Sequence, residues 1–170
     1  MNTMNVKRAF KTMQKNGTGR NYYKQIANNK YLVSNGHVVV TVSESDFEEN
    51  KQYLKNLEVC EDALEKVARD TKGYITESIR MTSLVFHDSM GRQERIMKSE
   101  HGLCAVNEAY ISVLNDVGCS MYFEVKVPEN ERILTPLVEC VIGEDDTVYH
   151  CNAVLPINTN VRDVLEKVLS

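Results

Sequence analysis

Apolar residues recur at helical spacing near the start of the chain. Val6, Ala9, Phe10 and Met13 lie three or four positions apart within Asn5 to Gln14, which gathers them on one face of an amphipathic helix. We read that helix over Met4 to Lys15. Asn16-Gly17-Thr18-Gly19 supplies its stop, because glycine takes the left-handed conformation at little cost. The period then changes. Tyr22 to Ala27 reads as a strand, and the runs Tyr31-Leu32-Val33 and Val38-Val39-Val40-Thr41-Val42 flank Ser34-Asn35-Gly36-His37. Asn-Gly tolerates positive φ at both central positions of a tight turn, so this stretch predicts the β-hairpin around which the chain is organised. Ser43-Glu44-Ser45-Asp46 next offers N-cap side chains and early acids for a second helix. Helical spacing persists through Phe47, Leu54, Leu57, Ala63, Leu64, Val67 and Ala68. It predicts one long helix or two short ones up to Asp70, closed by Thr71-Lys72-Gly73.

Strand patterns return beyond that point. Ser78 to His87 is rich in Ile, Thr, Val and Phe, Asp88-Ser89-Met90-Gly91 turns the chain, and Gln93 to Lys98 runs back. Gly102 to Val106 predicts another strand. A short helix follows from Asn107 to Asp116, with Ala109, Tyr110, Val113, Leu114 and Val117 on one face. Ser120 to Val127 alternates as a strand and is broken at Pro128-Glu129-Asn130. Ile133 to Ile142 and Val148 to Ile157 pair around the acidic turn Gly143-Glu144-Asp145-Asp146. A terminal helix over 159–170 turns Val161, Val164, Leu165 and Val168 inward. No internal repeat or linker interrupts the pattern.

The 170 residues suit a single domain large enough to bury a core. A hydrophobic content of 42% with 26% charged residues places the chain among soluble globular proteins. No apolar run reaches membrane-spanning length and the first residues lack a signal-peptide hydrophobic region, so a cytoplasmic location and no membrane partner are expected. Five cysteines, an odd number at scattered spacings, fit reduced thiols better than a disulfide framework.

Charge divides the chain more sharply than its net value of −4 suggests. Residues 1–43 hold seven cations and no acid, whereas residues 44–70 hold nine acids against four cations. Such asymmetry fits a nucleic-acid face beside an acidic surface for a partner, or two ordinary solvated faces. Lys7, Arg8, Lys11 and Lys15 can share one side of the first helix, opposite Val6, Phe10 and Met13.

No enzymatic constellation emerges. Gly17-Thr18-Gly19 lacks the spacing and the Lys-Ser/Thr ending of a phosphate-binding loop. His101 with Cys104 and His150 with Cys151 offer metal-ligand types, but adjacent strand residues point to opposite faces. Glu144-Asp145-Asp146 reads as a solvated turn. We expect no catalytic residues, metal or cofactor.

The order of elements resembles that of the bacterial DNA polymerase III β sliding clamps, their middle domain in particular. Val6-Lys7-Arg8-Ala9-Phe10 stands for the clamp's Lys-Arg-bearing helix, Asn21-Tyr22-Tyr23 for the following strand, and Ser34-Asn35-Gly36-His37 for its Thr-Asp-Gly-His stretch. In the second half the matches are Leu103-Cys104-Ala105-Val106, the Asn107 to Leu114 helix, and Val154-Leu155-Pro156-Ile157. The resemblance covers roughly Asn5 to Thr41 and Ser78 to Asn158. It implies an α+β fold, a DNA-clamp-like domain of two packed antiparallel sheets with helices on one side. Residues 44–71 form an acidic helical insertion and 159–170 a terminal helix.

Two sets of site residues follow from the resemblance. Lys7, Arg8, Lys11, Lys15 and Arg20 would contact double-stranded DNA through phosphates. Ser34, Gly36, His37, Val38 and Val39, with Ala153, Leu155 and Pro156, would dock a peptide or protein of the replication machinery. Val38 stands where clamps carry a basic residue, and the second helix carries Glu108 and Asp116 in place of cations. The expected function is that of a non-enzymatic clamp-like protein of DNA metabolism, which closes a ring only as a homo-oligomer. The alternative is a small phage-encoded inhibitor that uses the same fold to bind and block a host target.

Overall fold

The computed structural model describes residues 5–26, 29–60, 74–88, 90–99, 102–114, 121–128, 137–142 and 147–152. Helix α1 spans Val6–Asn16 and is capped by Asn5, whose side-chain oxygen accepts from the Arg8 backbone N–H at 3.0 Å. Strands β1 (Asn21–Ile26), β2 (Lys30–Ser34) and β3 (Val38–Ser43) follow. Helix α2 (Glu44–Asn50) leads through a 3-10 turn at Lys51–Tyr53 to β4 (Leu57–Val59). The second half runs β5 (Tyr74–His87), β6 (Gln93–Ser99), β7 (Gly102–Asn107), α3 (Glu108–Leu114), β8 (Met121–Pro128), β9 (Leu137–Ile142) and β10 (Thr147–Asn152).

The fold is α+β. Its strands form a continuous hydrogen-bonded series in the order β4-β1-β2-β3-β10-β9-β8-β5-β6-β7. Two sheets share the long strand β5, which pairs with β8 over Tyr74 to Ile79 and with β6 over Arg80 to His87, with a register shift between Met81 and Val85. Among the described residues all pairings are antiparallel except that of β4 with β1. Helix α1 precedes the meander β1-β2-β3, and α3 precedes the meander β8-β9-β10. The third strands of the two meanders pair antiparallel, Val40 opposite Tyr149 and Val39 opposite His150. Helices α1 and α3 pack against each other.

Among the described residues one core joins α1, the β2–β3 hairpin, α2 and the turn after it, β6, β7 and α3. Val6, Ala9, Phe10 and Met13 of α1 meet Val33, Val38, Val40 and Val42 of the hairpin, Phe47 and Leu54, and Met97, Val106, Tyr110 and Ile111. Alternation along β3 sends Val38, Val40 and Val42 into this cluster, while Val39 and Thr41, on the opposite face, are also buried.

The structure alters four local expectations. The tight turn is centred on Gly36-His37, one residue later than the Asn-Gly pattern suggests: Asn35 N–H donates to the Val38 carbonyl at 3.4 Å, and only Gly36 has positive φ, +88°. Asn35 is instead fully buried, and its amide group supplies the bonds that fix the turn. Gly17 has φ −90° and is not left-handed; a Cβ there would lie 2.9 Å from Asn35 Cβ, Asn35 Nδ2 and the Met13 carbonyl oxygen, so close approach requires the glycine.

Helix α2 starts as expected at Ser43, whose Oγ accepts from Asp46 N–H at 3.2 Å, but ends at Asn50. The chain then forms the 3-10 turn and an edge strand, so the helical spacing of Leu54 and Leu57 is not helix. Phe47 and Leu54 are nonetheless core residues, and residues 61–73 lie outside the described set. On α3 the buried residues are Tyr110 and Ile111, whereas Ala109 is half-buried. The side chains of Val113 and Leu114, all of Val117, the acidic turn at 143–146 and the terminal helix lie outside the described residues.

Candidate functional site

Helix α1 turns its cations away from the core. Lys7, Arg8, Lys11 and Lys15 are exposed, and so is Arg20 in the loop beyond the helix. At about 100° per residue the four helical cations fall within roughly a 100° arc opposite Val6, Ala9, Phe10 and Met13. They line a shallow, open groove of about 380 Å³ together with Asn5 and Thr12, and no acid is among its described lining residues. Such an arrangement presents long cations on one exposed helix face, which suits a polyanion.

Neighbouring segments hold the helix in this attitude. Gln14 Oε1 accepts from Asn21 Nδ2 at 2.9 Å and from Lys55 N–H at 2.7 Å, and Asn21 also donates to the Lys55 carbonyl at 2.7 Å. Tyr53 of the 3-10 turn lies under the helix's outer cations: Lys7 Nζ is 5.3 Å and Lys11 Nζ 4.9 Å from its ring centroid. Tyr53 was not a candidate from sequence, since its distance from α1 along the chain leaves no periodic signal.

Glu108, at the start of α3, is paired with a cation. Arg95 grips Glu108 through Nε at 2.6 Å and Nη2 at 2.5 Å and donates to the Thr82 carbonyl through Nη1 at 2.9 Å. The Glu108 carboxylate holds the Arg95 guanidinium above its usual pKa. Asp116 lies outside the described residues.

The hairpin turn divides differently from the expected docking set. Ser34 is buried and its Oγ accepts from Gly36 N–H at 3.1 Å, and Val38 and Val39 are 1% and 7% exposed. All three are buried in this chain, Ser34 at the end of β2 and Val38 and Val39 on opposite faces of β3. Gly36 is exposed and His37 half-buried. Burial, with the nearby Arg92 guanidinium, lowers the His37 pKa. Ala153, Leu155 and Pro156 lie outside the described residues. Asn35, not a site candidate from sequence, is the centre of the turn. Its Oδ1 accepts from His37 and Val38 N–H, each at 3.0 Å, and its Nδ2 donates to the Met13 carbonyl at 2.9 Å and the Tyr110 hydroxyl at 2.8 Å.

A second open groove, about 490 Å³, lies where Asn16, Arg92, Asn107, Glu108 and Ser112 converge. Its walls carry both signs of charge. Asp88 and Arg92 pair at 2.7 Å across the β5–β6 turn. Glu94 is 1% exposed, and neither carboxylate oxygen has a hydrogen-bond partner among the described residues. Burial pushes its carboxyl up to about 7, against the pull of Arg92 and with a smaller push from Asp88.

Among the described residues no three His, Cys, Asp or Glu side chains are grouped to hold a metal ion, and no helix is long and apolar enough to cross a membrane. His101 and the side chains of Cys104, His150 and Cys151 lie outside the described set. No family model, curated protein or solved structure matches the chain.

Proposed function

We propose that the chain is a non-enzymatic, sliding-clamp-like protein of DNA metabolism that contacts the nucleic-acid backbone through the outer face of α1. The observation that carries this reading is the row of exposed cations on α1, set opposite its buried face and lining a groove with no acid among its described residues. Two further features support it. The two units of helix and three-stranded meander, joined at β3 and β10 with their helices side by side, fit a clamp-type domain. The Arg95–Glu108 pair removes the repulsion that an uncompensated acid on α3 would exert on phosphates.

Contact of this kind is independent of sequence and strongly salt-dependent, because the gain comes from released counterions. A ring would need several copies of the chain. A fluorescence-anisotropy titration of a labelled DNA duplex at low salt tests the reading: saturable binding supports it, and no binding rejects it.

One observation favours a second reading. Asp46, Glu48 and Glu49 on α2 and Glu58 on β4 are all exposed, Glu48 alone of them being paired among the described residues with a lysine, Lys51, and these acids would complement a basic, nucleic-acid-binding protein. On that reading the chain blocks such a protein, acts as a monomer and has no need of DNA.

A further inference from the structure

We infer that Tyr53 is a positioning residue for the cationic face of α1: its ring holds Lys7 and Lys11 in place for successive phosphates. The inference rests on the reading of α1 as a nucleic-acid-contacting helix and adds a residue to it from a different part of the chain. Lys7, Lys11 and Lys15 follow one another at one-turn intervals, about 6 Å apart along the axis, close to the phosphate spacing of a single strand. Like charges at that spacing repel one another and spread their flexible side chains. Lys7 and Lys11 nevertheless converge on one ring, at 5.3 and 4.9 Å from its centroid. The electron-rich face of an aromatic ring attracts an ammonium group, which offsets that repulsion.

The ring is itself anchored. Tyr53 closes the 3-10 turn between α2, whose Phe47 is in the core, and Leu54, which is also in the core. Leu54 N–H donates to the Lys51 carbonyl at 3.0 Å, and Lys55 N–H donates to Gln14 of α1 at 2.7 Å. The turn is therefore tied to the helix whose lysines it meets.

The residue type matters as much as its position. In a segment with nine acids, the side chain that meets Lys7 and Lys11 is aromatic. A carboxylate there would neutralise the two ammonium groups. A ring orders them and leaves their charge and their N–H donors for phosphate oxygens. A lysine already restrained loses less rotamer freedom on binding than one that waves in solvent.

The test is a duplex-DNA titration at low salt with the intact protein and Tyr53→Leu, Tyr53→Phe, Lys7→Gln/Lys11→Gln and the triple variant that adds Tyr53→Leu. Tyr53→Leu weakens binding by about three- to tenfold, because two unrestrained lysines then lose more rotamer freedom on binding, and Tyr53→Phe keeps the wild-type affinity. In the Lys7→Gln/Lys11→Gln background Tyr53→Leu has no further effect, which a merely structural role would not produce. Upfield ring-current shifts of the Lys7 and Lys11 side-chain methylene protons in the wild type report the contact even where Tyr53→Leu folds poorly. Unchanged or tighter binding by Tyr53→Leu, a loss that persists without the two lysines, or unshifted methylene protons overturns the inference while leaving α1 as the contact surface. A wild-type protein that binds no duplex overturns that reading, and the inference with it.

Discussion

The Asn35 amide donates to the Tyr110 hydroxyl at 2.8 Å, joining the β2–β3 turn to α3 across 75 positions of sequence. The same hydroxyl donates to the Asn16 carbonyl at 3.3 Å, and the Asn35 amide also reaches the Met13 carbonyl, so the two groups clasp the C-terminal end of α1. A buried Asn with four hydrogen bonds has used its whole donor and acceptor capacity. Removing it strands several buried partners at once. Asn35→Ala should cost about 3 kcal/mol or more in urea denaturation, and Tyr110→Phe only about 1–2 kcal/mol, because Asn35 keeps its other bonds. Equal costs for the two would contradict this division.

Gly17 and Gly36 are both required, for different reasons. A Cβ at Gly17 meets Asn35 and the Met13 carbonyl at 2.9 Å, whereas one at Gly36 meets nothing within 4 Å but must sit at φ +88°. Gly17→Ala should destabilise by about 1–3 kcal/mol through overpacking. Gly36→Ala should cost about 1 kcal/mol through backbone strain alone. Gly36→Asn should recover part of that loss, since Asn tolerates positive φ, while Gly17→Asn should not. His37→Ala, beside Gly36 and half-buried, should change stability little. Thermal denaturation of the five proteins checks the order.

Glu94 makes stability depend on pH. Its folded-state pKa of about 7 lies above the ordinary 4.5, so between these values the folded protein keeps a proton that the unfolded chain releases. Stability from this group is therefore fully present below about pH 4.5, falls as pH rises and levels off above about 7, a change on the order of 3 kcal/mol. Glu94→Gln should flatten that part of the profile and stabilise the protein at pH 8. A wild-type profile with no decline that Glu94→Gln removes would contradict the burial argument.

Phe47 tests how far residues 44–60 belong to the core. Its ring stacks on Tyr31 at 4.3 Å between centroids and meets Phe10 edge-on at 6.5 Å. Phe47→Ala should cost about 3–5 kcal/mol. A cost below about 1 kcal/mol would mean that the segment is an appendage removable without harm to the fold.

The sequence was most legible where one period governed a whole element. The buried face of α1 followed from Val6, Ala9, Phe10 and Met13, and the strands of the second half from their β-branched runs. Legibility failed where contacts distant in sequence overrode local pattern. The apolar spacing of Phe47, Leu54 and Leu57 continued a helix that in fact ends at Asn50, because Leu57 to Val59 pairs with β1 instead. Asn35 read as a turn residue, and nothing near it in sequence announces Met13 or Tyr110. For the site, the exposed cations of α1 were readable from spacing. The burial of Val38 and Val39 was not readable from their own stretch, since the pairing of β3 with β10 joins positions more than a hundred residues apart.

Oligomeric state separates the two functional readings. Sedimentation equilibrium at micromolar protein should show a closed multimer if the chain acts as a clamp, and the number of protomers in it should not change when DNA is added. A monomer at every concentration would favour the partner-blocking reading.

The most direct measurement of the central claim is the salt dependence of duplex binding by the wild type and by a Lys7→Gln/Arg8→Gln/Lys11→Gln/Lys15→Gln variant. Four phosphate contacts for each protomer that touches the duplex give a slope of log affinity against log salt of about −3.6 per protomer, which should fall toward zero in the variant while its thermal transition is retained. Duplex binding whose slope is the same in both proteins would place the contact elsewhere and contradict the assignment of α1.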